Sequence, residues 1–126
     1  MKKKIDHQLL RFLAGGAVFL LALAFLTPAP AIAHPPQKLL LAYDAGNQTL
    51  TVTVTHNRFS AGHYIDKIEI SKNGAVIAGQ DYKSQPAETF TYTYKVNASQ
   101  GDTLAVKASC NKFGSVTEKF TVGKGK

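Results

Sequence analysis

Two stretches of this chain alternate apolar and polar residues almost without a break. Leu50 to Thr55 reads Leu-Thr-Val-Thr-Val-Thr, and Phe90 to Val96 reads Phe-Thr-Tyr-Thr-Tyr-Lys-Val. A period of two puts every second side chain on the same face of an extended strand, whereas a helix would scatter these residues around its axis. The chain must therefore build sheets with one buried face and one wet face. Lys38 to Tyr43 is a shorter apolar run, closed by the turn residues Asp44-Ala45-Gly46-Asn47. Tyr64 to Ile70 alternates again, with Ile68 and Ile70 opposite Lys67 and Glu69. Asn73-Gly74 marks a tight hairpin into Ala75 to Tyr82, because a type I′ turn needs positive φ at both central positions. Gln100-Gly101-Asp102 turns the chain into Leu104 to Ala108, and Val116 to Val122 closes the pattern before a tail at Gly123 to Lys126. Seven short strands with turn signals between them predict an all-β, immunoglobulin-like antiparallel β-sandwich. Phe90, Tyr92 and Tyr94 share one strand face and are expected in its core.

The N-terminus is of a different kind. Lys2, Lys3, Lys4 and Arg11 precede an uncharged run from Phe12 to Leu26. Thr27-Pro28-Ala29-Pro30 then breaks the helix, and Ala31-Ile32-Ala33 has the small-x-small spelling of a signal-peptidase site. The apolar run is too short for a spanning helix, which needs about 20 residues. Residues 1–33 thus read as a signal peptide and residues 34–126 as one exported domain, periplasmic or secreted, with no membrane anchor after cleavage. Removing 33 residues from 126 leaves 93, with 11 basic and seven acidic side chains and a net charge of +4 instead of +7. The lysines are scattered, which excludes a nucleic-acid stripe. No phosphate loop or dinucleotide fingerprint occurs.

The chemistry resides in few residues. The exported part holds three histidines, His34, His56 and His63, and one cysteine, Cys110. One cysteine cannot close an intramolecular disulfide, so it is an intermolecular link, a reactive thiol, a metal ligand or an inert buried thiol. His56 ends one predicted strand and His63 opens the next, so the loop between them can bring two imidazoles to one end of the sandwich. Cys110 ends a later strand. Imidazole with thiolate suits iron, copper or zinc and excludes a carboxylate-built calcium site.

The segment His56…His63-Tyr64-Ile65-Asp66-Lys67-Ile68-Glu69, followed by Cys110-Asn111-Lys112-Phe113-Gly114, resembles the iron-binding domain of the superoxide reductases (desulfoferrodoxin and neelaredoxin). That family carries H-P-x(n)-H-Y-I-x-x-I-E and C-N-x-H-G segments on a seven-stranded immunoglobulin-like fold. The resemblance implies iron held by histidines and an axial cysteine thiolate, with superoxide reduced to hydrogen peroxide by an electron from an external donor. Carried over, His56, His63 and Cys110 fall on ligand positions. His34-Pro35-Pro36 offers the family's upstream H-x-P ligand. Asn57 replaces the family's proline, Phe113 replaces its last histidine ligand, and the G-E-K lead-in is missing.

The resemblance therefore implies a metal set of His34, His56, His63 and Cys110, for iron, although three imidazoles and one thiolate suit zinc or copper as well. Losing one imidazole weakens affinity and alters the iron potential. Cleavage after Ala33 would also give His34 a free α-amine able to chelate the same ion. The competing expectation is a non-catalytic immunoglobulin-like binding or carrier module. In that module Cys110 is core, Phe113 fills the vacated site and the histidines face solvent. If the leader is processed as read, mass spectrometry of the exported protein should find His34 as the first residue; an intact N-terminus would refute the cleavage.

Overall fold

Alternating burial decides how the strands stack. The computed structural model describes residues 34–123; the predicted signal peptide and the last three residues lie outside that range. Seven strands run β1 (Lys38–Asp44), β2 (Thr49–Thr55), β3 (Ile65–Lys72), β4 (Ala75–Asp81), β5 (Thr89–Lys95), β6 (Thr103–Cys110) and β7 (Ser115–Thr121). They form two antiparallel sheets, β1-β2-β5 and β4-β3-β6-β7, and no helix occurs among the described residues. The all-β, seven-stranded antiparallel sandwich expected from periodicity is the observed fold.

Leu50, Val52 and Val54 of β2 point inward against Ile65, Ile68 and Ile70 of β3 and Leu104, Val106 and Ala108 of β6. All nine are essentially inaccessible to water. The outward threonines of β2 pair with those of β5, Thr53 with Thr91 at 2.9 Å and Thr55 with Thr89 at 3.0 Å. Such cross-strand pairs each add a few tenths of a kcal/mol, up to about 1.

Two local features set the topology. Asn73 and Gly74 both adopt positive φ, 53° and 86°, as a type I′ turn demands. That tight turn keeps β4 beside β3. In the constant-type immunoglobulin arrangement the fourth strand lies instead on the sheet of the first two. The second feature is a bulge in β3 against β6 between Ile65 and Lys67. The extra residue resets the alternation, so Ile65 and Ile68, three apart, both face the core. It also leaves Ile65 opposite Cys110.

The aromatic face of β5 is less buried than expected. Phe90 is in the core, while Tyr92 and Tyr94 are half-buried and covered by Tyr82. Tyr82 stacks on Tyr92 at 4.4 Å and shares a 2.7 Å hydroxyl hydrogen bond with Tyr94. Burial, then the Tyr82 hydrogen bond, push the Tyr94 phenol far above its ordinary range. The unfolded phenol ionises near pH 10, as in model peptides, whereas the folded one keeps its proton. This contribution to stability is whole below about pH 10 and is lost as pH rises above it. Urea denaturation across that window should show the decline, and Tyr94→Phe should flatten it; an equally steep fall in the variant would assign it to other groups.

Candidate metal centre

The strand register collects four separate connections at one pole of the sandwich. Lys38, Thr55 and Thr89 stand in one row across the first sheet, and Ile65 faces Cys110 in the second. Residues 34–37, the 56–64 loop, the 82–88 loop and the 111–114 turn therefore meet there.

His56, just past β2, is completely buried. Its Nδ1 lies 2.8 Å from Gln85 Oε1 and its Nε2 3.1 Å from the carbonyl oxygen of His34. The Gln85 amide has one orientation open to it. Its Nε2 donates to the carbonyls of His56 at 2.9 Å and Ala87 at 2.8 Å, and its Oε1 accepts the Ile65 N–H at 3.2 Å. Both contacts of the His56 ring are thus hydrogen-bond acceptors. A neutral imidazole carries one N–H and can donate to only one of these two oxygens.

His63 is held from the other side of its loop. Its Nδ1–H donates to the Arg58 carbonyl at 3.0 Å, and Arg58 itself takes a left-handed conformation with φ of 56°. Such a conformation costs a non-glycine residue about 1–2 kcal/mol. With Nδ1 so engaged, Nε2 carries the lone pair. It is buried and has no hydrogen-bond partner. Leaving a polar atom in that condition costs on the order of 1–3 kcal/mol.

Cys110 closes β6 and is 9% exposed. Its sulfur accepts the Lys112 N–H at 3.4 Å, and its own N–H donates to the Gly114 carbonyl at 3.0 Å. Asn111 ties this turn to the histidine loop, accepting the Tyr64 N–H and donating to the Gly62 carbonyl. Gly114 has φ of 79°, and a Cβ there would come within 2.7 Å of Pro35 Cβ. The segment before β1 thus rests directly on the turn that follows the thiol.

The His56, His63 and Cys110 ligand atoms all lie within 4.8 Å of one another, and the two imidazoles meet edge to face at 4.7 Å. Donors on one ion at metal–nitrogen and metal–sulfur bond lengths stand about 3–3.6 Å apart at octahedral or tetrahedral angles, so the set would draw in by about an ångström to close on a metal. A buried nitrogen lone pair without a partner, beside a thiol, fits a thiophilic transition metal. His34 meets the group through its main-chain carbonyl, and its imidazole is not among the three converging donors. Phe113 is 64% exposed and does not fill the site, and His56 does not face solvent. Both observations run against the expectation attached to a vacated centre, whereas Cys110 does lie in the core cluster as that expectation has it. Gln85 and the Arg58 carbonyl had no signal in the sequence, whereas Asn111 lies inside the Cys-Asn segment.

The chain matches no protein-family model and no curated protein sequence. Among solved structures it is similar to the superoxide reductase (neelaredoxin) from Ignicoccus hospitalis, at 21% identity over 70% of this chain and 80% of that one, with a TM-score of 0.44. Two variants of that protein align at 20% and 17% identity. They cover 71% and 69% of this chain and 80% and 79% of theirs, with TM-scores of 0.45 and 0.46. This is a likeness of fold; the roles of individual residues rest on the geometry above.

Proposed function

We propose that this chain is an exported, periplasmic or secreted, mononuclear iron protein of the superoxide-reductase type. The observation that carries the reading is His63: one ring nitrogen is committed to a backbone carbonyl and the other is buried, bare and gathered with His56 and Cys110. That is how a metal-ligating histidine is oriented, its outer N–H donated to a carbonyl so that the inner lone pair meets the ion.

Within this reading His56, His63 and Cys110 hold the iron. When bound, the metal would supply one-electron chemistry, in which one superoxide anion, one electron from an external donor and two protons give one hydrogen peroxide. The chain's own residues arrange the surroundings. The Lys112 N–H points at the sulfur at 3.4 Å, an outer hydrogen bond that a coordinated thiolate would keep. Three side-chain donors leave room for a small ligand and for one more group from the protein. His34 is the residue we assign to it, supported by its carbonyl lying 3.1 Å from His56 Nε2. The same nitrogen and sulfur donors accept copper or zinc, so metal identity is part of the test.

Anaerobic loading with Fe(II) followed by oxidation should produce a thiolate-to-iron charge-transfer band. Cys110→Ser should abolish that band and weaken Fe(II) binding by at least about tenfold. Superoxide should oxidise the loaded protein. A chain that gives no such band, or holds iron that superoxide leaves untouched, would be the non-catalytic binding or carrier module.

A further inference from the structure

We infer that Gln85 is the positioning residue of this centre: it fixes the His56 proton on Nδ1 and so turns Nε2 into the metal-facing lone pair. The inference rests on the metal reading above.

Gln85 lies in the 82–88 loop between β4 and β5, yet only 7% of its surface is exposed. All of its amide hydrogen-bonding capacity is used within the pole. Both N–H donors go to the carbonyls of His56 and Ala87, and the oxygen serves the Ile65 N–H and the His56 ring. Turning the amide over would press its oxygen against two carbonyls and its NH₂ against the Ile65 N–H. The oxygen therefore stays on the His56 side. It stands 2.8 Å from Nδ1, nearer than the His34 carbonyl stands to Nε2. The Gln85 contact is backed by three other hydrogen bonds. The His34 carbonyl belongs to an irregular segment ahead of β1.

The single ring proton of His56 is thus best placed on Nδ1, donating to Gln85. Nε2 then presents a lone pair, and a metal taken up there would move the His34 carbonyl, now 3.1 Å away, aside or take it in as a ligand. Gln85 also grips the backbone of His56, so one side chain sets both the rotation and the tautomer of the ligand. His63 reaches the same state by a different device, the Arg58 carbonyl. The two imidazoles are prepared alike by unrelated parts of the chain.

Co(II) titration of the protein, followed by the thiolate-to-cobalt band, measures affinity. Nitrogen–proton NMR of the His56 ring in metal-free protein reads the tautomer. Wild-type protein should show Nδ1–H. Gln85→Leu should lose that assignment and bind Co(II) about 10–100-fold more weakly, the usual cost of losing an outer-sphere partner. Gln85→Glu keeps an oxygen on Nδ1 and should keep the Nδ1–H, while its second oxygen meets the carbonyls of His56 and Ala87 and lowers the thermal stability of the fold. If Gln85→Leu does not fold, Gln85→Glu decides alone. Loss of Nδ1–H in the glutamate variant, or unchanged Co(II) affinity in the leucine variant, overturns the role of Gln85. Wild-type protein that takes up no Co(II) overturns the metal reading and this role with it, an outcome distinct from the other two.

Discussion

His56 is an imidazole sealed away from water with an oxygen at each end of its ring, and much of the pole is organised around that arrangement. The two oxygens are not held alike. One belongs to an amide whose other bonds are all made, the other to the segment leading into β1. A neutral ring can satisfy only one of them. Buried polar groups of this kind are costly when half satisfied and rigid when complete. The sandwich supplies the stability that lets such a group persist.

That stability lies elsewhere, in the interleaved Leu, Ile and Val side chains of β2, β3 and β6. Left-handed backbone at non-glycine residues occurs in turns elsewhere, at Gln48 and Asn73, and also beside the pole, where further costs accompany it. Arg58 is left-handed, His63 keeps a bare buried nitrogen, and Gly114 occupies a position no other residue could take without moving Pro35. Strain and unsatisfied groups that cluster in this way are characteristic of functional sites, where the surrounding fold over-determines them. The four connections that meet there come from distant parts of the sequence. Their meeting is a product of the strand register, which aligns the ends of β2, β4 and β6 with the starts of β1, β3, β5 and β7.

The strands were legible because alternation is a direct imprint of a two-sided sheet. Leu50 to Val54 and Ile68 to Ile70 fall where periodicity puts them, and Asn73-Gly74 turns as its φ requirement says. The bulge at Ile65 to Lys67 was not legible, because it is a mismatch in count between β3 and β6 and exists only once they pair. His56, His63 and Cys110 could be singled out because few side chains offer such donors. Gln85 could not: a glutamine between Ser84 and Pro86 in a turn-rich stretch carries no pattern, and its importance comes from burial alone. Phe113 shows the opposite failure, since a phenylalanine suggests filling and the structure turns it to solvent.

The contact between Pro35 and Gly114 has a consequence for how this sequence can drift. A Cβ at position 114 would stand 2.7 Å from the Pro35 ring carbon, and the backbone there is already left-handed. Any side chain at 114 therefore demands both a strained backbone and a different residue, or a different path, at 35. Residues in such contact do not change independently, and their effects do not add. The two positions, 79 residues apart in the chain, are coupled: a side chain at 114 is accepted only with a change of residue or path at 35.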